Sequence, residues 1–170
     1  MIKICVTGPE SSGKTTLAMA LAEHFAVPWV PEFAREYLEG LGRPYVEEDL
    51  LRIAEGQLEA ERRIAARRPD VLVCDTDLHT IRIWSEEKFG RCDPWIMEQC
   101  EYGAYDHWLL CRPDMRWDPD PLRENPNDRE RLFEVYATML ARGNRPHTIM
   151  EGMHMARMRS AKAVIMELLA

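Results

Sequence analysis

The sequence predicts an α/β domain with a mostly parallel sheet, on three observations. Short apolar runs without interruption recur at 2–7, 71–75 and 107–111, and such runs read as strands buried on both faces. Segments of helical periodicity separate them, so strand and helix alternate along the chain, as they do in parallel α/β domains with right-handed crossovers. The first run empties at once into a polar, glycine-containing loop, GPESSGKTT, that leads into a helical pattern.

Taken in order, a strand is expected over 2–7 (IKICVT) and a helix over 14–26, with Pro28 soon after. VPWV at 27–30 is a second short run, bounded by Pro31. The charged stretch 46–68 carries Leu50, Ile53, Ala54, Leu58 and Ile64 at the spacing of a long amphipathic helix. VLVCD at 71–75 and HWLLC at 107–111 are the next strands. A proline-rich, charged stretch follows, RPDMRWDPDPLRENPNDR. Its Trp117 and its arginines make 113–127 a lid or binding loop rather than a linker. A helical pattern returns at 128–142, HTIM at 147–150 is a last strand, and 153–169 a last helix. No repeat or low-complexity tail is present, and 170 residues suit one domain over 1–170.

The net charge is -7, so no basic field covers the surface, which argues against nucleic acid as a main partner. The positive charge is nearly all arginine, whose planar fork suits phosphate and carboxylate. MIKICVTG is no signal peptide, and no apolar run approaches the ~20 residues that span a bilayer. A cytoplasmic protein with no membrane partner is therefore expected; assembly into a homo-oligomer is left open. Cys5, Cys74 and Cys111 lie in apolar runs and read as small core residues. Cys92 and Cys100 lack the clustered spacing of a zinc site.

Gly8-Pro9-Glu10-Ser11-Ser12-Gly13-Lys14-Thr15 matches the G-x-x-x-x-G-K-[ST] pattern at every fixed position. Backbone amides around such a loop converge on phosphate oxygens. The glycines permit the turn, and the following helix points its positive end at the same place. Lys14 is expected on the β- and γ-phosphates, and the Thr15 hydroxyl on Mg²⁺; Thr16 continues the loop. The loop thus binds a nucleoside triphosphate with magnesium. No N-K-x-D or T-K-x-D element for guanine follows, which favours ATP.

A P-loop fold needs an acidic residue at a neighbouring strand tip to hold the magnesium shell, and Asp75 ends the VLVCD run. Asp77 reads as a helix cap or as a contact to a substrate hydroxyl. Glu32, after the second run, can face the γ-phosphate across the cleft and accept a proton from an attacking hydroxyl. Arg35, one turn on, can anchor substrate. The lid carries Arg112, Arg116, Arg123 and Arg129; arginines closing over a transferring phosphoryl group neutralise its charge and expel water, and Arg123 is the favoured one. Trp84 and Trp117 are candidates for stacking on a base or a pyridinium ring.

GPESSGKTT, PEFAREYLE, CDTDLHTIRIWSE, WDPDPLREN and a final helix with Arg157 and Ala161 together resemble the NadR-type ribosylnicotinamide kinase domain and the broader NadR-like AAA-type ATPases, over nearly the whole chain. The resemblance implies the fold of nucleoside and nucleotide kinases, a five-stranded parallel sheet of order 2-3-1-4-5 flanked by helices, with a lid after the fourth strand. It implies that ATP phosphorylates the 5′-hydroxyl of nicotinamide riboside, giving nicotinamide mononucleotide, a step of NAD salvage. It places Gly8 to Thr16 in the phosphate loop, with Glu32, Arg35 and Glu36 in its E-x-x-R-E-Y element, Asp75 and Asp77 in its D-T-D element, and Asp120 and Arg123 in the lid. Full-length NadR proteins carry an adenylyltransferase domain first; with Met1 opening the first strand, this chain is expected to stop at the mononucleotide. Alternatives are a kinase of another nucleoside or nucleotide, and an ATP-binding module that switches a partner protein.

Overall fold

In a computed structural model that describes residues 1–102 and 105–170, the apolar runs become five parallel strands. They are β1 (Ile2–Thr7), β2 (Trp29–Val30), β3 (Val71–Asp75), β4 (His107–Cys111) and β5 (His147–Met150). Their order is β2-β3-β1-β4-β5, with every neighbouring pair parallel. This is the order the resemblance implies. The helices are α1 (Lys14–Phe25), α2 (Phe33–Glu39), α3 (Glu47–Ala65), α4 (Leu78–Phe89), α5 (Pro94–Tyr102), α6 (Arg129–Arg142) and α7 (His154–Leu169).

Strand alternation divides the core. Ile4 and Val6 of β1 pack with Leu17 and Leu21 of α1 and Ile165 of α7 on one face. Cys5, between them, joins Trp108, Ile83 of α4, and Phe133 and Leu140 of α6 on the other. Ile4, Cys5 and Val6 are all fully buried, as a sheet covered on both faces requires. Cys74 and Cys111 are buried core residues too. No described helix is long and apolar enough to cross a membrane.

Beyond shifts of one residue at helix ends, three features differ from expectation. The second strand shrinks from 27–30 to Trp29–Val30. The long helix ends at Ala65: the N–H groups of Arg67 and Arg68 bond back three residues, Arg68 sits at φ 52°, and Pro69 disfavours helix in the residue before it. The third difference is α5, whose start is nonetheless written in the sequence. Asp93 accepts the N–H of Trp95 at 2.8 Å and Pro94 fills the first helical position, where a missing N–H costs nothing. Its buried residues Ile96 and Cys100 are one turn apart and join a helical subdomain core with Ala34, Leu50, Ile53 and Ile81.

Candidate active site

The carboxyl ends of β1, β2, β3 and β4 share one edge of the sheet, where open parallel sheets bind ligands. β1 runs into the GPESSGK loop there. Gly8 has φ +138°, and a Cβ on it would stand 2.6 Å from the Cys111 carbonyl oxygen, so only glycine lets the loop pass β4 this closely. Gly13 opens α1 at φ 80°. The loop is held from within by Ser12 Oγ, donating to the Pro9 carbonyl at 2.7 Å, and by Lys14 Nζ, donating to the same carbonyl at 2.8 Å. It is held from below by Arg157 of α7, which donates to the Ser12 carbonyl at 2.5 Å, the Arg112 carbonyl at 2.8 Å and the Gly152 carbonyl at 2.9 Å, and pairs with Asp114.

Asp75, the last residue of β3, is buried. Its Oδ2 accepts the Thr15 hydroxyl at 2.6 Å, and its Oδ1 is buried without a partner among the described residues. Burial first, and the negative charge of Glu32 second, push Asp75 up to about 6. A hydroxyl beside a carboxylate with a spare, unsatisfied oxygen is a hard-oxygen donor set that fits a divalent cation such as Mg²⁺. Among the described residues no cluster of three or more His, Cys, Asp or Glu side chains forms a protein-only metal cage; magnesium at phosphates needs only one or two protein ligands.

A cavity of about 140 Å³ opens over the loop. Gly8, Glu10 to Thr16, Glu32, Arg35, Trp84 and Arg123 line it, with Ala34, Leu38, Thr80 and Leu122. Glu32 stands at the N-terminal cap of α2 but makes no side-chain cap bond, which keeps its carboxylate available to the cleft. Arg35 pairs with Asp120 of the lid at 2.7 Å and more loosely with Glu39 at 3.3 Å. Arg123 pairs with Asp118 at 2.9 Å.

Four of the expected site residues lie elsewhere. Asp77 caps α4 and is fully engaged: Oδ1 accepts the Thr80 N–H at 3.3 Å, and Oδ2 lies 2.8 Å from His79 Nδ1 and accepts the Trp108 indole N–H at 2.8 Å. It is buried and does not line the cleft, so the helix-cap alternative is the one its contacts support. Trp117 lies outside the cleft lining, with the Arg129 and Arg123 guanidiniums 5.6 and 6.0 Å from its ring centre. Arg112 sits over the Phe133 ring at 4.4 Å and 3.4 Å from Glu151, and does not line the cavity over the loop. Asp120 acts through Arg35 and through the Leu122 N–H at 2.9 Å. The Ser11 and Ser12 hydroxyls are likewise bonded within the protein, as are their carbonyls, leaving their main-chain N–H groups for a ligand.

A second cavity of about 370 Å³ adjoins the first and shares Glu10, Leu38, Trp84 and Leu122 with it. Tyr45, Ile83, Leu132 and Tyr136 give it an apolar wall. Its acids are compensated: Arg131 holds Glu87 and Asp128, both at 2.5 Å, and Lys88 holds Glu124 at 3.0 Å. Sequence reasoning passed over Leu38, Tyr45 and Leu122, because apolar residues in helices and loops signal core before they signal a ligand wall.

The sheet, the loop, and the Thr15–Asp75 pair define a P-loop nucleoside-triphosphate-binding protein with the architecture of nucleoside and nucleotide kinases. More narrowly, the chain belongs to the AAA domain family, whose model matches residues 3–157. It is 26% identical over 149 residues to the trifunctional NAD biosynthesis/regulator protein NadR of Escherichia coli (strain K12), covering 83% of this chain and 36% of that protein. Among solved structures it resembles a NadR protein in complex with NR (TM-score 0.78, 23% identity, 98% of this chain and 51% of that one). It also resembles the thymidylate kinase of Ehrlichia chaffeensis (TM-score 0.65, 14% identity, 99% and 98%). The chain thus spans about a third to a half of the NadR chains it matches.

Proposed function

We propose that this domain transfers the γ-phosphoryl group of ATP to the 5′-hydroxyl of nicotinamide riboside, giving nicotinamide mononucleotide. The observation that carries the reading is the pair of adjoining cavities. One has the phosphate loop as its floor, and the other is a larger, partly aromatic chamber opening beside it. A transferase needs such a chamber next to the γ-phosphate; a nucleotide switch does not. The similarity to NadR, solved in complex with NR, supports this acceptor.

In this reading Lys14 leaves the Pro9 carbonyl for the β- and γ-phosphates. Thr15 and Asp75 hold Mg²⁺, which when bound neutralises charge on the phosphates. Glu32, lining the cleft without a cap bond of its own, accepts the proton of the attacking hydroxyl. Arg123 and Arg35, reaching in from the lid and α2, offset the charge that develops on the transferring group. Trp84, at the junction of the cavities, stands where an acceptor ring would lie.

The test is ADP release from Mg·ATP with a panel of nucleosides and nucleotides, with the product read by mass. ADP only with nicotinamide riboside, with one phosphate gained by the acceptor, is the expected result. A preference for another acceptor, in keeping with the likeness to thymidylate kinase, would replace the substrate and keep the chemistry. ADP release without an acceptor would remove the transferase reading. Lys14→Ala is expected to stay folded and lose transfer; unchanged turnover would refute the site.

A further inference from the structure

Glu10 is an acidic residue inside a loop built for anions. Its carboxylate accepts the N–H of Glu124 at 3.0 and 3.2 Å and the N–H of Asn125 at 2.9 Å, with the Asn125 side-chain amide at 3.4 Å. A carboxylate that takes two main-chain N–H groups makes charge-assisted bonds, about twice as strong as neutral ones. Ser11 repeats the link, its Oγ accepting the Asp118 N–H at 3.0 Å. The lid is thus fastened to the phosphate loop at both 118 and 124–125.

The same stretch is fastened on its other side to residues that line the two cavities. The Glu124 carboxylate takes Lys88 Nζ and the Tyr45 hydroxyl, each at 3.0 Å, and Asp120 takes Arg35 at 2.7 Å. Between these anchors lie Leu122 and Arg123, the two lid residues that line the cleft. The loop's own shape does not depend on Glu10, since Ser12, Lys14 and Arg157 hold it. We propose that Glu10 is a positioning residue that anchors the lid to the phosphate loop and so fixes Arg123 over the cleft.

The test joins amide exchange with kinetics on the intact protein. In Glu10→Ala, NMR-resolved exchange at Glu124 and Asn125 is expected to rise about tenfold or more, with α1 and β1 amides unchanged. Glu10→Gln keeps one acceptor oxygen and is expected to fall between. Unchanged exchange at both amides overturns the proposal, and so does a rise that extends through α1 and β1. The kinetic arm rests on the kinase reading: kcat is expected to fall about tenfold or more, with the Kd of a fluorescent ATP analogue within about threefold. An equal loss of nucleotide affinity would make Glu10 a phosphate-loop ligand and overturn the proposal. Absence of transfer with every acceptor would sink the kinase reading alone, because the exchange arm does not depend on it.

Discussion

Arg157→Met should cost this protein about 3–5 kcal/mol. The Arg157 side chain is 2% exposed, and its guanidinium serves three carbonyls and one carboxylate from three different segments. Methionine fills much of the volume but donates nothing. The carbonyl of Ser12, a residue with no exposure, then loses its donor, and each buried acceptor left alone costs about 1–3 kcal/mol. Asp114 loses its partner at partial exposure and regains some of that from water, so the losses do not simply add. Breaking a buried charged pair by removing one member falls in the same range, about 3–5 kcal/mol. For a chain of this size each kcal/mol moves the melting temperature by about 2–4 °C, so a drop on the order of 10 °C is expected. Urea unfolding followed by circular dichroism reads the change as a lower midpoint at constant slope. Arg159→Met, at an exposed position on the same helix, is the control and should stay within about 0.5 kcal/mol. A loss below about 1 kcal/mol for Arg157→Met would refute the reasoning that this arginine ties α7, the β4 exit and the phosphate loop together.

Three further outcomes can be checked. In EDTA, Asp75→Asn should stabilise the protein at pH 7.5 but not at pH 4: burial and Glu32 raise Asp75 from 3.8 to about 6, so its folded form is penalised as pH rises through that window, by on the order of 3 kcal/mol above it. A stability gap equal at both pH values would contradict this. Glu32→Gln should lower kcat by about 10²-fold or more if Glu32 is the base, whereas a loss confined to KM would make it a binding residue. Gly56→Ala should destabilise despite a helix-propensity gain of about 1 kcal/mol, because the new Cβ would stand 2.1 Å from the Phe33 ring and overpacking costs about 1–3 kcal/mol; a melting temperature at or above wild type would show that the ring yields freely.

The strands and the phosphate loop were legible because their signals are local. A buried parallel strand must be apolar throughout, and a loop position where a Cβ would stand 2.6 Å from a carbonyl oxygen, as at Gly8, must be glycine. Glu32, Arg35, Trp84 and Arg123, which line the cleft, were legible from charge or aromatic character close to the strand ends and in the lid, and Asp75, fully buried against Thr15, from its place at a strand tip. Arg157 shows the opposite case. In sequence it is one basic residue on a helix with exposed Met153 and Met155 nearby, and nothing within a turn of it says that its partners lie at 12, 112, 114 and 152. Pairings at such separations leave no periodic trace. Leu38, Tyr45 and Leu122 were illegible for a related reason: whether an apolar side chain faces core or cavity depends on what the facing segment supplies.

Asp75 and Asp77 show how two carboxylates in one D-T-D element come to opposite ends. Both are buried, and burial alone raises a carboxyl. For Asp77 the protein outweighs burial with the His79 imidazole and the Trp108 and Thr80 N–H groups, and the net direction is down. For Asp75 it supplies one hydroxyl, leaves Oδ1 unpartnered and sets Glu32 nearby, and the net direction is up. The Asp77 charge is therefore satisfied by the fold, and that residue serves the fold. The Asp75 charge is not satisfied by the described residues, and a cation would lower its cost. Buried polar groups are otherwise nearly always paired, so the unspent oxygen is what distinguishes Asp75 from Asp77 as a candidate cation ligand. The motif alone, which treats the two alike, does not make that distinction.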